Sequence, residues 1–311
     1  MEQKPLVTIG VVTFNAEEFI TETLDSIYEQ SYQNIELIVT DDNSSDKTVE
    51  IAQKWLEMKG KRFNGSQIIT TPVNTGVSAN SNRALMAAKG EWYKCFDGDD
   101  LMAPNAISDY MSYVIEHPDV EMMMANVRYM RDGVAAEIMP VQLKKLFFGV
   151  KSTVKRQSRI ISKRIIGNSQ SFIVKTSILK NEGGFDEKYP LLEDYPVFIK
   201  LINRGHKMYF MENVTAFYRS TEGSISRQRS AGSIFTNSAI RSIVEYRYDY
   251  QREYLSPFWQ KLLDFSICLK KNVIEAGNNW SILKCRMYYS LLMFDPLYLY
   301  KKYTNFLNRF A

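Results

Sequence analysis

Short runs of β-branched and apolar residues alternate with stretches of helical periodicity through residues 6–96. The opening run, Leu6–Thr13, is almost continuous in such residues, which is typical of a strand buried on both faces of a parallel sheet. Asn15 is predicted to cap the helix that follows, with Glu18 at the capping-box position. A second run of the same kind covers residues 35–40. Because neighbouring parallel strands need helical crossovers, this order predicts an α/β fold with a mostly parallel, Rossmann-like sheet flanked by helices.

The alternation becomes less regular after residue 104. The segments predicted beyond this point are a helix to about residue 117, strands near 120–125, 171–175 and 208–218, and a helix over 193–204. From residue 234 the chain is a separate α-helical region rich in basic and aromatic residues. We therefore predict one domain over 1–233, with halves of about 1–103 and 104–233, and a helical C-terminal region over 234–311.

Composition excludes several classes of protein. The 311 residues are 45% hydrophobic and 24% charged, so the chain can bury a large core and is not a disordered chain. The three cysteines form no CxxC pair, which excludes a disulfide scaffold and a cysteine zinc site and predicts a reducing, cytoplasmic location. We expect no signal peptide, because the first residues are too polar, and no apolar window long enough to span a membrane.

Acidic and polar side chains follow three of the predicted strands. These strands end in Thr13-Phe14-Asn15, in Asp41-Asp42 and in Asp97-Gly98-Asp99-Asp100. Open α/β sheets bind ligands at the carboxyl ends of their strands, so one pocket is expected to collect several carboxylates. Buried carboxylates repel one another, and a hard divalent cation with phosphate oxygens as co-ligands would relieve that repulsion. The alternative for any single pair is a solvated loop.

Five short motifs occur in order along residues 5–225. They are Thr13-Phe14-Asn15, Asp41-Asp42-Asn43-Ser44-Ser45-Asp46-Lys47-Thr48, Asn74-Thr75-Gly76-Val77-Ser78, Asp97-Gly98-Asp99-Asp100 through Pro104, and Gly183-Gly184-Phe185-Asp186 with Glu193-Asp194. As a set they resemble the family-two nucleotide-sugar glycosyltransferases of the bacterial surface-polysaccharide type, which have the GT-A fold. The resemblance implies that residues 1–233 form the catalytic domain, with a nucleotide-sugar-binding half followed by an acceptor-binding half.

The resemblance also implies roles for the residues that bind the donor. Thr13 and Asp42 would hold the nucleoside together with Asn15, Asp42 accepting a hydrogen bond from the uracil ring, while Asp41 supports it nearby. Asp97 would contact the ribose or the donor sugar. An alternative for Asp41 is that it caps the helix predicted after it.

The metal and the catalytic base are implied in the same way. Asp99 would be the principal ligand of Mn²⁺ or Mg²⁺, which bridges the two phosphates. Asp194 would be the general base that takes the proton of the acceptor hydroxyl, with Glu193 orienting it or the acceptor. A single in-line displacement would invert the anomeric configuration. The alternative for Glu193 and Asp194 is that they are ordinary acids at a helix start, where they complement the helix dipole.

Basic residues near residue 220 could contact the diphosphate. Arg219 is the stronger candidate, because the resemblance places it near the pocket. Arg227 and Arg229 lie in a Gly/Ser-rich segment that could close as a lid over the diphosphate, or that could be a solvated loop.

The sequence departs from the family pattern at two places. Ser81 precedes Asn82 where the family often has Arg, and no His follows the Tyr218-Arg219 pair. A donor contact from that Arg is therefore not expected, and the metal is expected to have one or two protein ligands.

The C-terminal region holds 16 of the 40 aromatic residues from residue 241 onward, interleaved with Lys and Arg. Aromatic rings and basic side chains suit the headgroup zone of anionic lipids, so we predict peripheral contact with the cytoplasmic face of the inner membrane. Such a location fits a glycan acceptor carried on a polyprenyl diphosphate. The alternatives are packing on the catalytic domain and a homodimer through the C-terminal helices.

The resemblance implies an inverting, metal-dependent glycosyltransferase that moves a hexose or N-acetylhexosamine from a UDP-sugar to a glycan hydroxyl. The alternative is a non-catalytic protein of the same fold that binds sugar nucleotides or glycans. A phospho-acceptor receiver domain is far shorter than this chain, and a nicotinamide-dependent dehydrogenase would need a GxGxxG motif after the first strand, which is absent. No nucleic-acid partner is expected, because no recognisable binding module accompanies the basic residues.

Overall fold

The computed structural model describes residues 4–131, 134–137, 141–162, 166–219, 230–295, 298–299 and 302. The chain divides into two compact units. The first comprises Met1–Gln157 with Ile165–Ser220, and the second comprises Ser158–Arg164 with Thr221–Ala311. The predicted domain boundary between residues 233 and 234 stays a prediction.

The first unit is built on a sheet of nine strands. They are β1 Val7–Thr13, β2 Ile35–Asp41, β3 Ser66–Thr70, β4 Trp92–Asp97, β5 Leu101–Met102, β6 Met122–Arg131, β7 Val134–Glu137, β8 Phe172–Lys175 and β9 Met208–Arg219. Their order is β3-β2-β1-β4-β8-β6-β9-β5, and β7 pairs with β6. The short strands β5 and β7 are absent from the sequence prediction.

The helices of the first unit comprise those predicted and three more, over 141–148, 154–161 and 176–181, that the sequence analysis did not predict. They are α1 Ile20–Tyr28, α2 Thr48–Lys59, α3 Val77–Ala87, α4 Ala106–Glu116, α5 Val141–Phe148, α6 Val154–Ile161, whose residues from Ser158 belong to the second unit, α7 Thr176–Asn181 and α8 Asp194–Asn203. Single 3₁₀ turns cover Gly60–Arg62 and Ser169–Ser171.

The sheet is parallel in its first half and mixed in its second. Strands β3, β2, β1 and β4 are parallel to one another, whereas β8 is antiparallel to both β4 and β6. Every residue of β1 and β2 is buried, in agreement with their continuous apolar sequence. The predicted α/β sheet flanked by helices is therefore confirmed.

The register aligns the ends of the three central parallel strands. Thr13 pairs with Asp41 across β1 and β2, and Val12 pairs with Asp97 across β1 and β4. The polar residues that follow these strands consequently emerge at one edge of the sheet, where the sequence motifs had placed them.

The predicted cap at Asn15 is wrong. Helix α1 begins only at Ile20, with Phe19 at its N-cap position and no side-chain capping bond. Asn15 adopts a left-handed backbone with φ of 50°, and its Oδ1 accepts from the backbone N–H of Ser45 at 2.9 Å. The side chain thus ties two strand-end loops together, because the backbone carries it away from the helix axis.

The second unit is helical. Its elements are α9 Asn237–Arg241, a π-helical segment Ser242–Gln251, α10 Pro257–Glu275 and α11 Leu283–Leu292. Helix α10 packs against α11 and the π-helical segment. One small core joins Leu255, Leu263 and Ile267, and another joins Ile234, Val273 and Cys285. Among the described residues, no helix has the length and apolar character that crossing a membrane requires.

Candidate active site

Asp41 is a buried acceptor that shapes the loop after β2. The hydroxyl of Thr13 donates to Asp41 Oδ1 at 2.9 Å, and the backbone N–H of Ser44 donates to Asp41 Oδ2 at 2.8 Å. The alternative that Asp41 caps the next helix does not hold. Asp46 accepts from the backbone N–H of Thr48 at the start of α2, at 2.9 Å.

Asp42 lies beside Asp41 and is fully engaged. Its carboxylate accepts from the backbone N–H of Thr75 at 2.9 Å, the Thr75 hydroxyl at 2.7 Å, the backbone N–H of Gly76 at 2.7 Å and Arg83 Nη2 at 2.5 Å. Burial alone would raise the pKa of Asp42, but these hydrogen bonds from Thr75, Arg83 and Gly76 hold it below its ordinary value. Asp42 is thus an ionised carboxylate paired with the Arg83 guanidinium.

Arg83 is a residue of the site that the sequence analysis missed. It lies on α3, where Nη2 also donates to Asn80 Oδ1 at 3.0 Å and Nη1 donates to the Thr75 hydroxyl at 2.9 Å. The family pattern directed attention to Ser81, before Asn82, whereas the basic residue stands directly after Asn82. The sequence could have indicated Arg83 through its spacing of three residues from Asn80, since residues three apart lie on the same face of a helix.

Three carboxylates meet after β4. One oxygen from each of Asp97, Asp99 and Asp100 lies within 4.8 Å of the others. Burial raises the pKa of all three, and the repulsion of Glu193 and Asp99 raises that of Asp97 further. The set therefore carries repulsion that a cation would relieve.

Asp100 completes this cluster, although the sequence analysis gave it no role. Its Oδ1 accepts from the backbone N–H of Arg219 at 2.7 Å, and its buried Oδ2 has no hydrogen-bond partner among the described residues. An unpaired buried carboxylate oxygen beside two further carboxylates fits a hard divalent ion with oxygen ligands. The structure thus offers three candidate ligands where the sequence predicted one or two.

A second pair of acids lies at the start of α8. Asp194 is 9% exposed, and its Oδ1 accepts from the backbone N–H of Tyr195 at 2.7 Å. Burial, followed by repulsion from Glu193 and Asp97, raises the pKa of Asp194 well above its ordinary value. Burial also raises the pKa of Glu193, against a hydrogen bond from Ser169. The structure therefore brings both acids into electrostatic contact with the β4 cluster, and a raised pKa makes a carboxylate a better base.

Arg219 ends β9 next to the acidic cluster. Its Nη2 lies 2.6 Å from Glu22 Oε2, and its guanidinium is 4.8 Å from the centre of the Phe19 ring. Its positive charge partly offsets the burial that raises the pKa of Asp99 and Asp100. The predicted phosphate contact of Arg219 stays a prediction, and Arg227 and Arg229 lie outside the described residues.

Lys94 is a fully buried ammonium in β4 that the sequence analysis also missed. Its Nζ donates to the carbonyl oxygens of Cys95 at 3.2 Å, Ser169 at 3.2 Å and Gln170 at 2.8 Å. Burial lowers its pKa to about 8, against the attraction of nearby acids, Asp97 among them. Lys94 thus fixes the Ser169–Ser171 turn against the strand that carries the acids. A lysine inside an apolar strand was the available signal.

The sequence matches the family model described as Glycosyl transferase family 2 over residues 8–174. A curated relative from Escherichia coli, "UDP-Glc:alpha-D-GlcNAc-diphosphoundecaprenol beta-1,3-glucosyltransferase WfaP", is 26% identical over 242 residues. That alignment covers 76% of this chain and 86% of the relative.

Two solved structures resemble the chain in fold. TarS of S. aureus in complex with UDP-GlcNAc has a TM-score of 0.61 at 20% identity, over 85% of this chain and 72% of that one. The mannosyltransferase PcManGT of Pyrobaculum calidifontis in complex with GDP-Man and Mn²⁺ has a TM-score of 0.58 at 19% identity, over 98% and 81%. At these identities the likeness concerns the fold alone.

Proposed function

Since the chain belongs to glycosyl transferase family 2, we propose that it moves a hexose or N-acetylhexosamine from a UDP-sugar to a hydroxyl of a glycan acceptor, with inversion. The family membership and the GT-A fold that the sequence predicts are confirmed. The observation that carries the proposal is the meeting of Asp97, Asp99 and Asp100 at a strand end, in electrostatic contact with Glu193 and Asp194.

The paired charges of Asp42 and Arg83 support a sugar donor that carries uracil as its base. The edge of uracil presents one N–H donor between two carbonyl oxygens, so a carboxylate beside a guanidinium complements it. We assign the N–H to Asp42, where it would replace one of the four donors that this carboxylate has in the structure, and one carbonyl to Arg83, with Thr13 and Asn15 lining the nucleoside site and Asp41 supporting them. The UDP-GlcNAc bound to TarS favours UDP, whereas the GDP-Man bound to PcManGT shows that this fold also accepts a purine nucleotide.

The acidic cluster fits Mn²⁺ or Mg²⁺, with Asp99 as principal ligand. Asp100 would supply its unpaired oxygen, and Asp97 would hold either the cation or the ribose or sugar of the donor. When bound, the cation would neutralise charge on the departing nucleoside diphosphate. Arg219 would add a fixed positive charge at the same place, and the segment with Arg227 and Arg229 stays a proposed lid.

Asp194 is the proposed general base. Its carboxylate would accept the proton of the acceptor hydroxyl as that oxygen attacks the anomeric carbon, and Glu193 would orient the acceptor or its neighbour. The raised pKa of Asp194 suits this task, because a weakly basic carboxylate takes an alcohol proton poorly. Attack from the face opposite the leaving diphosphate inverts the configuration.

The proposed acceptor is a polyprenyl-diphosphate-linked intermediate of a surface polysaccharide. The activity for which WfaP is named, on a GlcNAc-diphosphoundecaprenol, supports this class of acceptor. An enzyme that acts on such a lipid would work at the cytoplasmic face of the membrane as a peripheral protein. A homodimer through the C-terminal helices stays the alternative for that region.

A panel of nucleotide sugars tests the donor. The protein would be incubated with UDP-, GDP- and CDP-sugars, in Mn²⁺ and in EDTA, while thermal unfolding and nucleotide release are measured. We expect UDP-sugars to raise the unfolding temperature in Mn²⁺ and to be hydrolysed slowly. Asp99→Asn should lose both effects, and Asp119→Asn, at an exposed acid, should keep them. Stabilisation without turnover on any acceptor would favour the non-catalytic binding protein, and no response to any nucleotide sugar would refute both functions.

A further inference from the structure

Helix α11 has apolar residues on both of its faces. Cys285 is fully buried against Ile234 and Val273, and Tyr288 and Leu292 pack on the same cluster. This inward face explains how the helix is held on its own unit. Among the described residues, no element covers the opposite side of the helix.

The opposite side of α11 is also apolar. Leu283 is 73% exposed, Met287 58%, Leu291 46%, and Phe294, just after the helix, 71%. Their spacing of four, four and three residues places them along one side of a helix. We call these four residues the outer face of α11. A continuous apolar strip of this kind is unfavourable in water and marks an interaction surface.

Two basic residues border the outer face. At about 100° per residue, Lys284 lies on one side of the strip and Arg286 on the other. Both are exposed, and neither forms an ion pair with an acid in the described part of the chain. The sequence between Glu275 and Asp295 contains no acid, and Asp295 is itself buried against Lys270 at 3.0 Å. The outer face is therefore apolar at its centre and positively charged at its edges.

We propose that the outer face of α11 inserts into the headgroup region of a membrane containing anionic lipid. An apolar strip flanked by cations matches acyl chains below and phosphates beside the helix. A second copy fits less well, because a two-fold axis would bring Lys284 and Arg286 against the same cations of the partner with no acid opposite. The inference rests on the proposed peripheral location and names the helix responsible for it.

Two aromatic rings lie on the Arg286 side of the outer face: Trp280, before α11, whose carbonyl accepts from Arg286 Nε at 2.8 Å, and Tyr289, three residues after Arg286. Trp280 is 46% exposed and Tyr289 is 37% exposed, and their ring centres lie 4.5 Å apart, edge to face. Amphipathic rings of this kind favour the boundary between headgroups and acyl chains.

Vesicle partitioning of the full chain tests the proposal. Wild-type protein should bind vesicles containing phosphatidylglycerol and bind pure phosphatidylcholine vesicles weakly. Leu283→Ser with Met287→Ser should lower the partition coefficient about 100-fold, about tenfold for each apolar side chain removed. The matched control is Met58→Ser with Ile115→Ser, at residues 73% and 67% exposed on the first unit, which should bind like wild type.

A charge variant separates the two contributions. Lys284→Gln with Arg286→Gln should lower binding to phosphatidylglycerol vesicles about 30-fold, from about 1 kcal/mol for each cation, and leave binding to phosphatidylcholine unchanged. All variants should keep the wild-type unfolding temperature, since the substituted side chains are exposed. They should also keep UDP-sugar binding in Mn²⁺, so a failure of the donor assignment remains distinguishable from a failure of this one.

Three results would overturn the proposal. The first is that wild-type protein does not bind anionic vesicles at low salt. The second is equal vesicle binding by wild type and the Leu283→Ser, Met287→Ser variant. The third is a concentration-dependent dimer that this variant loses, which would assign the outer face to a second copy.

Discussion

Replacing Arg83 by methionine should destabilise the first unit measurably at neutral pH. The change removes a 2.5 Å ion pair with Asp42, whose side chain is 3% exposed, while three other donors to that carboxylate remain. A hydrogen bond to a charged group is worth about 1.5–3 kcal/mol, and a stripped buried charge costs about 3–5 kcal/mol. Three donors to Asp42 remain in the variant, and water can enter the space that the guanidinium leaves. We therefore expect the free energy of unfolding to fall by about 2–3 kcal/mol, in the lower of these two ranges.

That loss corresponds to a fall of about 4–12 °C in the unfolding temperature, at about 2–4 °C per kcal/mol for a unit of about 200 residues. The pKa of Asp42 is lowered by folding, so its stabilisation is present above the unfolded value of about 3.9 and is lost as pH falls through the folded value. The difference between wild type and variant should therefore be constant from about pH 5 to about pH 8. Calorimetry or circular dichroism measures it.

The matched control is Arg204→Met. Its Nε lies 3.4 Å from Glu182 Oε2, but the Arg204 side chain is 69% exposed, so the change should cost less than about 1 kcal/mol. Equal unfolding temperatures for wild type and Arg83→Met would refute the reasoning. A difference between them that grows steadily from about pH 5 to about pH 8 would do the same, because it would point to another titrating group.

Further predictions concern the acids. Burial raises the folded-state pKa of Asp97 and Asp100, so metal-free protein should lose stability as pH rises from the unfolded value of about 3.9 toward the raised folded values. Mn²⁺ should restore more of that stability at the higher pH, and a flat melting profile in EDTA contradicts this. Asp99→Asn should weaken UDP binding in Mn²⁺ but not in EDTA, and calorimetry showing unchanged affinity in Mn²⁺ would exclude Asp99 as principal ligand. Asp194→Asn should bind UDP and Mn²⁺ normally yet transfer sugar roughly 10²- to 10⁴-fold more slowly, and Glu193→Gln should have a smaller effect on the rate. Near-normal transfer by Asp194→Asn would refute the proposed base, and a product that NMR shows to retain the donor configuration would refute the single displacement.

Local patterns were sufficient for the central strands. The runs that became β1, β2 and β4 are short and rich in β-branched or aromatic residues, which is typical of strands buried on both faces of a sheet. The acidic motifs directly after β2 and β4 were equally local, and the strand register carried them to one edge. Strands β5 and β7 escaped prediction because they are short and depend on partners distant in sequence.

Other features depended on backbone conformation and on distant partners. Asn15 has the right residue type for a cap, but its left-handed backbone turns the side chain toward Ser45. Arg83 could be assigned to Asp42 only once α3 was packed beside the end of β2, since the two residues are 41 positions apart.

The sequence by itself determined the α/β fold, the family and the carboxylates available for chemistry, because periodicity and short motifs are local properties of the chain. The tertiary structure decided which of those groups are paired. It joined Asp42 to Arg83, left an oxygen of Asp100 without a partner among the described residues, and turned one apolar side of α11 outward. Periodicity cannot distinguish a covered apolar face from an uncovered one, because burial depends on what packs against the helix.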